Sequence, residues 1–166
     1  VNANIARYST GDGTAVVTGT NSTWTNTGEL NVGYDGPGVL TVSAGGQVTN
    51  VAGYISRSAG STGTATISGT GSSWTNSTSL TVGRGGDGTL NIQDGAQVTN
   101  TWSLVGHLVG SSGIVNVSGD GSLWSIDGSV SIGENASGTL NISDGGRVYT
   151  SISGKLGDET AGVGLA

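Results

Sequence analysis

The chain has 166 residues, of which 33 are glycine, one is proline and only 10% are charged, so tight turns and uncharged polar residues dominate it. At about 1 kcal/mol per glycine relative to alanine, that composition excludes long helices, and the absence of cysteine excludes a disulfide framework, thiol chemistry and a cysteine metal site. Five basic against eleven acidic residues give a net charge of −6, which makes nucleic acid and anionic membrane surfaces poor partners, and no stretch approaches the ~18 apolar residues that would insert into a bilayer.

From Val1, which falls in mid-turn, the first unit predicts three short strands over 14–18, 23–26 and 29–33, separated by Gly, Asn, Ser and Thr. The second predicts strands over 39–43, 47–50 and 53–56, with the second loop one residue shorter and the third connection two longer. Insertions of this kind are cheap in turns. The pattern then recurs. Glycine stands at Gly13, Gly38, Gly63, Gly88, Gly113 and Gly138, one every 25 residues, and opens the apolar pairs Ala15/Val17, Leu40/Val42, Ala65/Ile67, Leu90/Ile92, Val115/Val117 and Leu140/Ile142. A second period of 50 runs through Trp24, Trp74 and Trp124, through Gly33, Gly83 and Gly133, and through Val48, Val98 and Val148.

Registered alternation of this kind forms a core, where scattered apolar residues would leave a disordered chain. Strands in one register pair in parallel with their own copies above and below. The expected fold is all-β: a right-handed parallel β-helix of about six coils, three strands to a coil, with ladders about 4.8 Å apart and a rod about 29 Å long. Residues 1–166 read as a single segment of 50-residue repeats, two coils each, cut from a longer array that continues beyond Gly164-Leu165-Ala166.

The units Gly-Thr-Leu-Asn-Ile-Gln-Asp-Gly-Ala-Gln-Val-Thr-Asn at Gly88 to Asn100 and Gly-Thr-Ala-Thr-Ile-Ser-Gly-Thr-Gly-Ser-Ser-Trp-Thr-Asn at Gly63 to Asn76, with Leu80-Thr81-Val82-Gly83, are similar to a known repeat family. It is the family shared by autotransporter (type V secretion) passengers and some exosortase-sorted surface proteins. The resemblance implies a secreted or outer-membrane-anchored β-helical stalk, often part of an adhesin, and it carries over no catalytic residue.

Trp24, Trp74 and Trp124 share a slot with Val48, Val98 and Val148, an arrangement that suits an interior column of alternating bulk with each indole N–H bonded to a backbone acceptor. Asn26, Asn50, Asn76 and Asn100 stand two residues beyond that slot and suggest a structural amide ladder. Trp102 lies outside the register and is the candidate for stacking a sugar ring. Outward Thr14, Thr64, Thr89 and Thr139, beside Thr41, Thr66, Asn91, Asn116 and Asn141, form a polar face whose asparagines are further ligand-binding candidates. Val16, Val39, Gln93 and Ile114 interrupt the lattice that ice binding would need.

Asp94, Asp120 and Asp144 could suggest a polysaccharide-cleaving enzyme, but Asp94 and Asp144 each precede a glycine, as a tight turn asks, and Asp120 lies in a Gly-Asp-Gly run. Gly85-Gly86-Asp87-Gly88 does not match a calcium nonapeptide, and His107, the sole histidine, reads as a solvated loop side chain. Arg7, Arg57, Arg84, Arg147 and Lys155 form no cluster in the sequence. The expectation is a non-enzymatic stalk or adhesive passenger segment at the bacterial outer surface or beyond it. It needs no metal or cofactor, and its partners are a host glycan, a host protein or itself.

Overall fold

The computed structural model describes residues 1–157 and the backbone of 163–165; Ala166, where the array is expected to continue, lies outside the described residues. It is a β-solenoid of about six coils, each of three strands lying in three parallel sheets. Sheet I joins Gly13–Thr18, Gly38–Ser43, Thr62–Ser68, Asp87–Gln93, Ser112–Ser118, Ser137–Ser143 and Val163–Leu165. Sheet II joins Thr23–Thr25, Gln47–Asn50, Ser73–Asn76, Gln97–Asn100, Leu123–Ile126 and Arg147–Thr150. Sheet III joins Ala3–Ile5, Glu29–Val32, Ala52–Ile55, Ser79–Val82, Trp102–Val105, Ser129–Ile132 and Ser153–Leu156.

The register follows the glycines. Gly13, Gly38, Gly63, Gly88, Gly113 and Gly138 pair in one column of sheet I. They stand where the chain leaves the corner after sheet III, and no side chain fits there: a Cβ at Gly63 would lie 2.3 Å from the Val32 carbonyl oxygen, and one at Gly113 2.3 Å from that of Val82. The corner itself turns through positive φ at Ala6, Gly33, Ser56, Gly83, Gly106 and Gly133. Ser56 holds that strained conformation while fully buried, its hydroxyl donating to the Ser61 carbonyl at 2.8 Å.

Packing explains why the true unit is two coils. Reading sheets I, II and III in turn, the inward residues of successive coils are Ala15, Trp24, Leu30; Leu40, Val48, Gly53; Ala65, Trp74, Leu80; Leu90, Val98, Ser103; and Val115, Trp124, Val130. The tryptophan coils of Trp24 and Trp74 thus carry alanine on sheet I and leucine on sheet III, that of Trp124 carries valine on both, and the valine coils carry leucine on sheet I and glycine or serine on sheet III. The Trp74 indole lies over the small residue of the coil before it: a Cβ at Gly53 would come within 2.9 Å of Trp74 Cζ2. Trp74 and Trp124 are wholly buried and so remove the largest apolar surfaces from water.

The indole N–H groups find side-chain acceptors where backbone ones were expected. Trp74 Nε1 donates to Asn50 Oδ1 at 2.6 Å, and Trp124 Nε1 to Asn100 Oδ1 at 2.9 Å, each across one coil. The interior asparagines are therefore not one continuous ladder. Asn50 Nδ2 donates to Asn76 Oδ1 at 2.7 Å, but Asn26 turns to the Glu29 carbonyl in its own coil at 2.7 Å and Asn100 to Ser103 Oγ at 2.7 Å. The Asn76 Nδ2 atom is buried with no partner among the described residues. An indole competes for the acceptor that a stacked amide would use, and it wins in every valine coil from which an asparagine projects beneath a described, fully buried tryptophan.

Candidate functional site

The three outer faces differ in chemistry. On sheet I the columns run Thr14, Val39, Thr64, Thr89, Ile114, Thr139 and Val16, Thr41, Thr66, Asn91, Asn116, Asn141. An amide ladder forms here, on the outside: Asn141 Nδ2 donates to Asn116 Oδ1 and Asn116 Nδ2 to Asn91 Oδ1, both at 2.8 Å, and Asn91 Nδ2 reaches Thr66 Oγ1 at 3.4 Å. These side chains spend their hydrogen bonds on one another. Sheet II presents Thr25, Thr49, Thr75, Thr99, Ser125 and Tyr149 in one outward column, nearly all of it small and polar.

The aspartates sit at the bend between sheets I and II. Asp94 and Asp144 occupy the same turn slot two coils apart with φ of 57° and 51°, and the slot between them is taken by Gly119. Asp120 is one residue further along its turn, with its carboxylate against Gly145. Among the described residues no three His, Cys, Asp or Glu side chains gather as a metal site.

Sheet III and the corner that follows it collect the side chains with varied chemistry. The residues just after the positive-φ corner are Arg7, Tyr34, Arg57, Arg84, His107 and Glu134, one per coil, each from Tyr34 onward bonded through its backbone N–H to the coil below. Three arginines that look scattered in the sequence thus share one edge. Arg57 Nη1 donates to Glu29 Oε2 at 2.5 Å and to Asn31 Oδ1 at 2.8 Å, and its guanidinium lies 5.3 Å from the Tyr34 ring and 4.6 Å from that of Tyr54. Arg84 covers the other side of this group, 5.9 Å from the Tyr54 ring, and makes no ion pair among the described residues. Planar guanidinium groups suit such stacking, which an ammonium group would not reproduce.

His107 is not the solvated side chain expected of it. It is half-buried, with Nδ1 2.5 Å from Glu134 Oε2 of the next coil. Further along the same face Trp102 is 44% exposed, beside a hollow lined by Leu104, Ser129, Ser131, Ser153 and Lys155. Trp102 and the Asn91–Asn116–Asn141 column, named together as ligand candidates, stand on different sheets and do not meet. Tyr34, Tyr54, Arg57 and Arg84 were missed because attention to a fixed 25-residue period passes over a corner whose spacing alternates.

The result is a solenoid with two mostly polar faces and a third, sheet III with its following corner, that carries Tyr54, the guanidinium groups of Arg57 and Arg84, and the exposed Trp102 indole. No family model, no curated protein and no solved structure matches the chain.

Proposed function

We propose that the chain is a rigid stalk segment of a bacterial surface or secreted protein, of the autotransporter passenger kind, and that the outer face of sheet III makes its adhesive contacts. The observation that carries this reading is the concentration of Tyr54, Arg84 and Trp102 on one face while sheet I closes its polar groups on themselves. Tyrosine, tryptophan and arginine are the side chains that contribute most at protein contact surfaces, the two aromatics because they bring large area with two rotatable bonds and arginine because its planar guanidinium both stacks and donates several hydrogen bonds. The role is geometric: the coils hold the face straight and extend it, and many weak contacts along it add through multiplicity. The partner is a host-surface glycan or protein, or a second copy of the chain, met outside the cell.

The test compares three proteins for binding to epithelial cells, to matrix glycoproteins and to themselves. They are the native chain, a sheet III variant (Tyr54→Ser, Arg84→Ser, Trp102→Ser) and a sheet I variant (Asn91→Ser, Asn116→Ser, Asn141→Ser). The native chain and the sheet I variant are expected to bind, and the sheet III variant to lose binding while keeping its fold. A native chain inert toward all three targets would reduce the segment to a spacer.

A further inference from the structure

We propose that the hollow beside Trp102 is a binding site for a neutral pyranose residue. The inference rests on the reading of sheet III as the contact face and gives that face a ligand class. It begins with the indole. The three other tryptophans all point into the solenoid, whereas Trp102 stands on the outside at a position that pairs with Ser79 in the coil below. The neighbours of that column, Ala52, Ser79, Ser129 and Ser153, are all small, and the ring stays 44% exposed.

The second observation is a hydroxyl. Ser131 is only 8% exposed, and its Oγ is buried with no hydrogen-bond partner among the described residues. Val130 and Ile132 on either side of it belong to the core, so Ser131 projects outward, in the column of Leu104 and Lys155, where it lines the hollow. A buried hydroxyl left without a partner costs free energy and asks for an explanation. Beside it Ser153 Oγ donates to Ser129 Oγ at 3.0 Å, which leaves the Ser129 O–H to be given to a ligand, since a hydroxyl has one donor and two acceptor sites.

A flat apolar ring and a cluster of hydroxyls therefore bound one shallow cavity. A pyranose has the matching shape: one face of C–H groups to lie on an indole and a rim of hydroxyls to exchange hydrogen bonds with serines. A purely apolar ring would leave Ser129 and Ser131 unpaired, and a cationic ligand would meet no carboxylate, since none lines the cavity.

The experiment follows the four indole N–H resonances of the whole chain by NMR during titration with methyl β-glucopyranoside, methyl β-galactopyranoside or methyl α-mannopyranoside, with cyclohexanol as an apolar ring of similar size. The expected result is a saturable shift of the Trp102 resonance alone with at least one glycoside, and none with cyclohexanol. Trp102→Ala should abolish the response as followed on backbone amides of Ser129 and Ser131 and melt like the native chain, while Ser131→Ala should weaken the response about tenfold and melt no lower than the native chain, since it removes an unpaired buried hydroxyl. Trp102→Phe, which keeps a ring, should retain part of it if the alanine variant does not fold. A flat titration with all three glycosides, an equal response to cyclohexanol, or undiminished affinity in Ser131→Ala would overturn the proposal. Binding of the chain to cells or glycoproteins together with a flat glycoside titration would overturn the sugar site while leaving the contact face standing.

Discussion

Trp74 reaches back one full coil to place its indole N–H 2.6 Å from the side-chain oxygen of Asn50, and Trp124 repeats the contact with Asn100 fifty residues later. Asn50 also donates to Asn76, so it serves two partners inside the solenoid, whereas Asn76 accepts one bond and has an unpaired amide of its own.

Replacing Asn50 with Leu therefore orphans a buried indole N–H and frees the acceptor on Asn76, at about 1–3 kcal/mol for each group left unsatisfied. Asn76→Leu removes one existing orphan as it creates another and should be the milder change. Urea unfolding of the two variants checks this order. Equal losses would mean that the indole bond adds nothing.

Gly53 is fixed by its neighbours in space. A Cβ there would stand 2.4 Å from Asn76 Oδ1 and 2.9 Å from Trp74 Cζ2. Gly53→Ala should cost about 1–3 kcal/mol through overpacking, read as a lower urea midpoint with an unchanged slope. The serine at the equivalent slot, Ser103, bonds Asn100 at 2.7 Å, so Ser103→Ala should lose about 1 kcal/mol for a different reason, the missing hydrogen bond.

Arg57 lies between two tyrosines and is paired with Glu29, and both ion-pair partners are about a quarter exposed. Arg57→Ala should lower stability by about 1 kcal/mol. Arg57→Lys should recover little of it, because an ammonium group keeps the charge but not the planar stack or the fork that reaches Glu29 and Asn31. Thermal melts of the three proteins at low and high salt separate the stacking share, which persists, from the ionic share, which salt screens.

The alternation of tryptophan and valine coils predicts that the array tolerates change only in pairs. Removing residues 38–87 joins the first coil to the fourth and keeps a tryptophan coil beneath a valine coil. Removing residues 38–62 instead sets the coil of Trp74 directly on that of Trp24, where Leu30 replaces Gly53 and Asn26 replaces Asn50. The longer deletion should unfold cooperatively with a slope reduced in proportion to its size, and the shorter one should be the less stable of the two despite its larger remaining core.

Much of this architecture was legible in the sequence, because sheet I returns every 25 residues through a column of glycines that tolerate no side chain. The sheet I strands and their parallel pairing follow from that period, and the interior column of Trp24, Val48 and Trp74 from the 50-residue period laid over it. The arginine edge was not legible. Its members, at 7, 34, 57, 84, 107 and 134, are separated alternately by 27 and 23 residues, since the valine coils shorten the bends on either side of sheet II and lengthen the corner after sheet III. Hydrogen-bond direction was equally hidden. The two sets of asparagines look alike in the sequence, yet Asn50 and Asn100 of the inner set yield their oxygens to indoles, while the outer Asn91, Asn116 and Asn141 bond amide to amide throughout.

The alternating bulk of the interior has a genetic corollary. Recombination between two tryptophan coils, at any matching point, lengthens or shortens the rod by whole pairs and keeps every tryptophan coil next to a valine coil. Recombination between unlike coils produces a mispacked protein that the cell would discard. Meanwhile exposed side chains of sheet III such as Trp102, which no inward neighbour depends on, can be exchanged without disturbing the frame, so reach and recognition can change independently of each other.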